Sequence, residues 1–171
     1  MTRRRLFAAA AGLVAGCAAA AREPRAILVG AESCAFCRMT ILDERVAAEY
    51  LVDGRVVVFD DAGCLRDWVL ARGAGAAGAA WLRDYAGEGW VRAESAVLVA
   101  GAVATPMSTN VVAFASGAAA DALVGERGGR RIALAELLGP GAAAGRRYAL
   151  ADEPSVAPGQ GRAGHGGGGH E

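Results

Sequence analysis

Three sulfur atoms fall within six residues in Cys34-Ala35-Phe36-Cys37-Arg38-Met39. Thiolate and thioether are soft, polarizable donors, and together they select Cu(I) over harder divalent ions. Zinc accepts thiolates but gains little from a thioether, and no second CxxC or nearby His completes a structural zinc site. Cys37 and Met39 stand two residues apart, so in an extended segment both side chains point the same way and can reach one ion. A further methionine lies in Ala104-Thr105-Pro106-Met107-Ser108-Thr109. Pro106 fixes its own φ and biases Thr105 toward extended backbone, which makes this a loop. The chain has three Met, one of them the first residue. The other two both sit in loop-like segments and not in a helical stripe. Cys64 reads as a small buried hydrophobe in a first helical turn, with a disulfide to Cys34 or a redox thiol as its alternative. His165 and His170 are the only imidazoles and offer a weak auxiliary metal site in the tail. No Ser-His-Asp set, GxSxG, HExxH or P-loop pattern is present. Without a His in the folded part, ordinary general acid–base catalysis is disfavoured, and the chain does not read as an enzyme.

The elements that must position these sulfurs follow from local pattern. Arg55 to Phe59 is a β-rich run, and Asp60 or Asp61 caps a helix over 62–71, with Leu65, Trp68 and Val69 on its buried face. Asn110 to Phe114 repeats the theme, with Ser116 capping a helix over 118–124. A strand precedes each copy (45–52 and 95–100), and another follows (80–85 and 130–134). The expected class is α+β, built from two small homologous ββαβ modules packed together, about 30–88 and 89–138. Gly73 to Gly78 reads as a flexible loop.

The ends of the chain are different in kind. Arg3-Arg4-Arg5 precedes a short apolar run and Val14-Ala15-Gly16-Cys17, which resembles a lipobox. Residues 1–16 therefore read as a lipoprotein signal peptide with a twin-arginine flavour, and Cys17 as the lipidated residue. The apolar run is too short to span a bilayer as a helix. Residues 17–29 read as a lipid-anchored linker, 30–138 as the folded domain, and 139–171 as a disordered Gly/Ala/His tail. Lipidation leaves Cys34, Cys37 and Cys64, an odd number of thiols in an exported protein, and metal ligation is a leading reason for an unpaired thiol there. Composition agrees with a folded core: 54% of residues are hydrophobic and 21% charged. The 18 basic residues, all Arg, equal the 18 acidic ones, which argues against non-specific nucleic-acid binding. Loss of the three signal arginines leaves the mature chain mildly acidic.

The stretch Cys34 to Ile41, together with Phe59-Asp60-Asp61-Ala62-Gly63-Cys64-Leu65, Trp81-Leu82-Arg83-Asp84-Tyr85 and Thr105 to Phe114, resembles the NosL family of nitrous oxide reductase accessory lipoproteins. The resemblance spans about 30–125. It implies a periplasmic, membrane-anchored Cu(I) carrier that serves a NosDFY-type ABC transporter complex and, through it, the copper centres of nitrous oxide reductase. It implies a fold resembling organomercurial lyase. It places ligand roles on Cys37 and Met39, with Met107 from the second module and Cys34 as a further candidate. Arg38 stands where many members carry Gly or His. Ala18-Ala19 after the lipidated Cys lacks the Asp linked to inner-membrane retention, which points to the outer membrane.

Two other readings remain at this level. Cys34 and Cys37 could form a thiol–disulfide oxidoreductase pair, although a thioredoxin-type βαβ context is missing. Alternatively, a Cys34–Cys37 disulfide staples a loop in a purely structural lipoprotein.

Overall fold

Residues 23–73, 78–87, 89–139 and 141–151 are described by the computed structural model. Strands β1 (Ala48–Val52) and β2 (Arg55–Phe59) form a hairpin with Val52 opposite Arg55. Its two-residue connection is Asp53-Gly54, with φ of 50° and 70°. Asp-Gly with both residues at positive φ matches the right-handed twist of the flanking strands, which fixes the register. Helix α1 (Ala62–Ala71) follows at once, and β3 (Gly78–Arg83) returns antiparallel to β1. A short strand, β4 (Trp90–Arg92), pairs with β3 and completes a sheet of order β2-β1-β3-β4.

The second sheet has order β6-β5-β7, from β5 (Val97–Ala100), β6 (Val111–Phe114) and β7 (Arg130–Ile132). Helix α2 (Gly117–Arg127) links β6 to β7, and α3 (Leu134–Leu138) follows β7. The fold is thus mixed, with two small antiparallel sheets and few helices. The sheets meet where Asp84 bridges Ala113 and the Tyr85 N–H donates to the Ala113 carbonyl at 2.8 Å.

Strand alternation assigns the faces. Ala48, Tyr50, Phe59 and Leu82 of the first sheet pack with Leu65 and Trp68 of α1 and with Leu98, Val111 and Ile132 of the second. The opposite face of the second sheet, with Val99, Val112 and Phe114, is covered by Ala120 and Leu123 of α2. α1 therefore lies in the main core, where its first turn meets both halves of the molecule. Gly63 makes that possible, because a Cβ there would overlap Thr109 Oγ1.

Several elements differ from the sequence expectation. The stretch 45–52 begins as a 3-10 turn (Glu44–Val46), because the Asp43 carboxylate accepts the Arg45 N–H. β4 lies past the expected module boundary at 88 yet joins the first sheet. Within 17–29, Ile27 is buried against Ile41, Ala47 and Val58. Beyond 139, residues 141–151 run back over the domain as a strap. Tyr148 N–H donates to the Thr109 carbonyl and Ala151 N–H to the Gly101 carbonyl. Buried Arg66 of α1 donates to the Arg146 carbonyl at 2.8 Å, and Asp67 accepts the Gly145 N–H.

Glu49, on the far face of β1, is fully buried; one carboxylate oxygen accepts the Arg25 N–H, and the other has no hydrogen-bond partner. Burial pushes its carboxyl up to about 7. Between the usual value of 4.5 and 7, the folded state holds a proton that the unfolded chain has lost. Raising the pH through that window therefore lowers stability, by up to about 3 kcal/mol. Glu49→Gln is expected to flatten this part of a stability–pH curve, as read by denaturant titration at pH 5 and pH 8. An equal slope in both proteins would refute it.

Candidate metal centre

The Cys34 to Met39 segment is the turn of a short hairpin. Gly30 N–H donates to the Ile41 carbonyl, Ser33 bridges Thr40, and Cys34 N–H donates to the Met39 carbonyl at 2.8 Å. Arg38 N–H closes the turn onto the Cys34 carbonyl, and Arg38 sits at φ 70°. That left-handed geometry is what Gly adopts without strain, so Arg38 carries a backbone cost there. Ala35 N–H donates to the Val58 carbonyl, which anchors the turn to β2.

β2 then delivers the rest of the site. Asp61 caps α1, its Oδ1 accepting the Cys64 N–H at 2.9 Å. Its Oδ2 accepts the Thr105 hydroxyl at 2.8 Å and the Met107 N–H at 3.2 Å. One buried carboxylate therefore joins the helix start to the loop that carries Met107. Asp60 is left to face the hairpin and accepts the Cys37 thiol at 3.2 Å. The outcome is a cluster in which one ligand atom each of Cys34, Cys37, Asp60 and Cys64 lies within 4.8 Å of the others. Cys34 and Cys64 are buried, Cys37 is half-buried, and all three are free thiols.

The thiols differ in acidity. Cys34 is held at about 6, chiefly because the Cys64 thiol donates to its sulfur. Cys64 is pushed far up by that same bond and by burial. Burial also raises Cys37, to about 11, with Asp60 and Cys34 adding to the effect. Near neutral pH the cluster thus holds one thiolate and two thiols. A cation meets one preformed negative charge and two further sulfurs that ligate by releasing protons.

Of the sequence candidates, Cys34 and Cys37 are brought together. Met107 is half-buried and packs against the same core as Cys34 and Cys64. Met39 lies at the surface, 47% exposed. Cys17, His165 and His170 lie outside the described residues. Sequence reasoning missed Asp60 and gave Cys64 a packing role. The Asp60-Asp61 doublet was the available signal: only one can cap the helix, and the other is free for a ligand or a thiol.

A small mixed α/β domain thus gathers three free thiols and one carboxylate into a cluster whose sulfurs suit a soft metal ion. The NosL family model matches residues 26–139, so the chain belongs to the NosL family. Among solved structures, the crystal structure of the copper chaperone NosL from Shewanella denitrificans is similar, with a TM-score of 0.58 at 18% identity, over 66% of this chain and 92% of that one. At this identity the likeness is one of fold. A comparison with curated proteins gives no match.

Proposed function

We propose that the protein is a periplasmic lipoprotein, acylated at Cys17, that carries Cu(I) on Cys34, Cys37 and Cys64 with thioether help from Met39 and Met107. It hands the ion to a NosDFY-type ABC transporter complex for the copper centres of nitrous oxide reductase. The observation that carries this reading is the gathering of three free thiols by the hairpin and α1, within a NosL-family chain. Soft donors of this kind favour Cu(I), and the Asp60 oxygen suits it poorly as a ligand. Asp60 instead accepts the Cys37 thiol in a hydrogen bond, which holds that sulfur toward the cluster. The exposed Met39 supports exchange, since a surface thioether can be surrendered to an acceptor while the thiolates still hold the ion. The outer membrane is the anchoring site we favour.

We also read the recurring order of strand, strand, helix, strand as two copies of one ββαβ module of the organomercurial lyase kind. Each copy places its first strand centrally, as in β2-β1-β3 and β6-β5-β7.

The test is a Cu(I) competition titration of the mature chain against Cys37→Ser and Met39→Ala. The cysteine variant is expected to lose at least about a hundredfold in affinity, since even an outer-shell partner of a metal ligand is worth up to that much. Unchanged affinity in both variants overturns the assignment. The Cys34/Cys37 oxidoreductase alternative predicts turnover of a disulfide substrate, which a carrier does not show.

A further inference from the structure

The large hydrophobic side chains left exposed among the described residues are Leu28, Val29, Phe36, Met39 and Leu42, and all fall within the one hairpin. Single exposed apolar residues are ordinary, but a group confined to one feature marks a surface with a partner. The ladder divides the group. Phe36 and Met39 sit at the turn beside the thiols. Leu28, Val29 and Leu42 sit at the open end, where the Gly30 to Ile41 bond holds the two chains together. Leu28 and Leu42 are 64% and 75% exposed.

We infer that Leu28, Val29 and Leu42 rest on the surface of the phospholipid bilayer to which the chain is tethered. The inference rests on the lipidation of Cys17 proposed above. Chain length supplies the argument for lipid as the occupant. Glu23, the first described residue, is six residues from Cys17, and a fully extended chain covers at most ~22 Å over that span. Arg25 N–H is fixed to Glu49 on β1, so the open end of the hairpin cannot drift far from the acyl chains. A lipid anchor adds to, and is stabilised by, apolar side chains at the acyl boundary. Charge contributes little, because Arg25 pairs with Glu32 and Arg45 with Asp43. The contact would set the domain with the open end of the hairpin on the bilayer and its thiol-bearing turn pointing away, toward a copper acceptor.

The test uses the mature chain with Cys17→Ser and an N-terminal hexahistidine tag, captured on nickel-chelating-lipid nanodiscs. The artificial tether makes it independent of lipidation, which is tested separately by the intact mass of the membrane-extracted protein. Amide exchange at 28–30 and 42–43 is expected to slow about fivefold or more on the nanodisc, to a similar degree with zwitterionic and anionic lipid. Leu28→Glu with Leu42→Glu is expected to abolish the slowing while leaving Cu(I) affinity and melting temperature unchanged. No slowing on the bilayer overturns the inference. So does slowing on the α2 face in its place, or slowing that tracks protein concentration without lipid, which marks self-association.

Discussion

Cu(I) affinity is expected to rise about a hundredfold per pH unit between pH 7 and pH 9, because two protons leave for each ion bound. The sign follows from the thiols. Cys37 lies at about 11 and Cys64 is raised further, so both are protonated throughout that window. Cys34, at about 6, is already a thiolate and contributes no slope there. Each thiol that must be deprotonated to ligate adds one proton to the competition, and raising the pH removes the competitor. Cys64→Ser is expected to reduce the slope to one proton, with Cys37→Ser doing the same. The measurement is competition against a chelator of known proton dependence, at three pH values. A wild-type slope of one that Cys64→Ser leaves untouched would show that Cys64 is core filling, as its place in the sequence suggests. A slope near zero would remove all raised thiols from the ligand set.

Asp61→Ala is expected to cost about 3 to 4 kcal/mol. The cap alone is worth about 1 kcal/mol, and the two further hydrogen bonds, from Thr105 and Met107, about 1 to 1.5 each. The Thr105 hydroxyl, the Met107 N–H and the Cys64 N–H all lose Asp61 together. For a domain of this size, a fall in melting temperature of roughly 10 °C follows. A double-mutant cycle with Thr105→Ala separates the loop from the cap, with a coupling of about 1 kcal/mol or more expected. A loss below about 1 kcal/mol for Asp61→Ala would mean that the Met107 loop is held by other contacts.

These two results bear on different levels of legibility. The Cys34 to Met39 run and the helix that follows β2 are local signals, written in soft donors, β-branched residues and a capping acid. They could be read without the fold. What could not be read was convergence. Cys64 looks like a core residue because it is one; its burial says nothing of whether other thiols share that core. Asp60 becomes informative only once Asp61 has taken the cap. Strand β4 is three residues of Trp-Val-Arg, too short for any periodicity, and exists because β3 offers an open edge. The five-residue α3 is short for the same kind of reason: Leu137 seats it in the core, and propensity does not create it. Ile27 was masked by its charged surroundings of Glu23 and Arg25, which suggested a linker where the structure has an anchor point.

The strap at 141–151 sets where this protein can be cut. The family match ends at 139, and a fragment ending there would keep every strand and all four residues of the thiol cluster. It would also lose the donors that Tyr148 and Ala151 supply to Thr109 and Gly101, and the Asn110 amide would lose the Tyr148 carbonyl it bonds at 2.6 Å. Asn110 and Ser108 both sit at positive φ, in the loop that bears Met107. The trimmed protein would fold around its sheets yet present a slack methionine loop. A fragment ending at 151 keeps that loop seated, so the minimal domain is longer at its C-terminus than its family boundary.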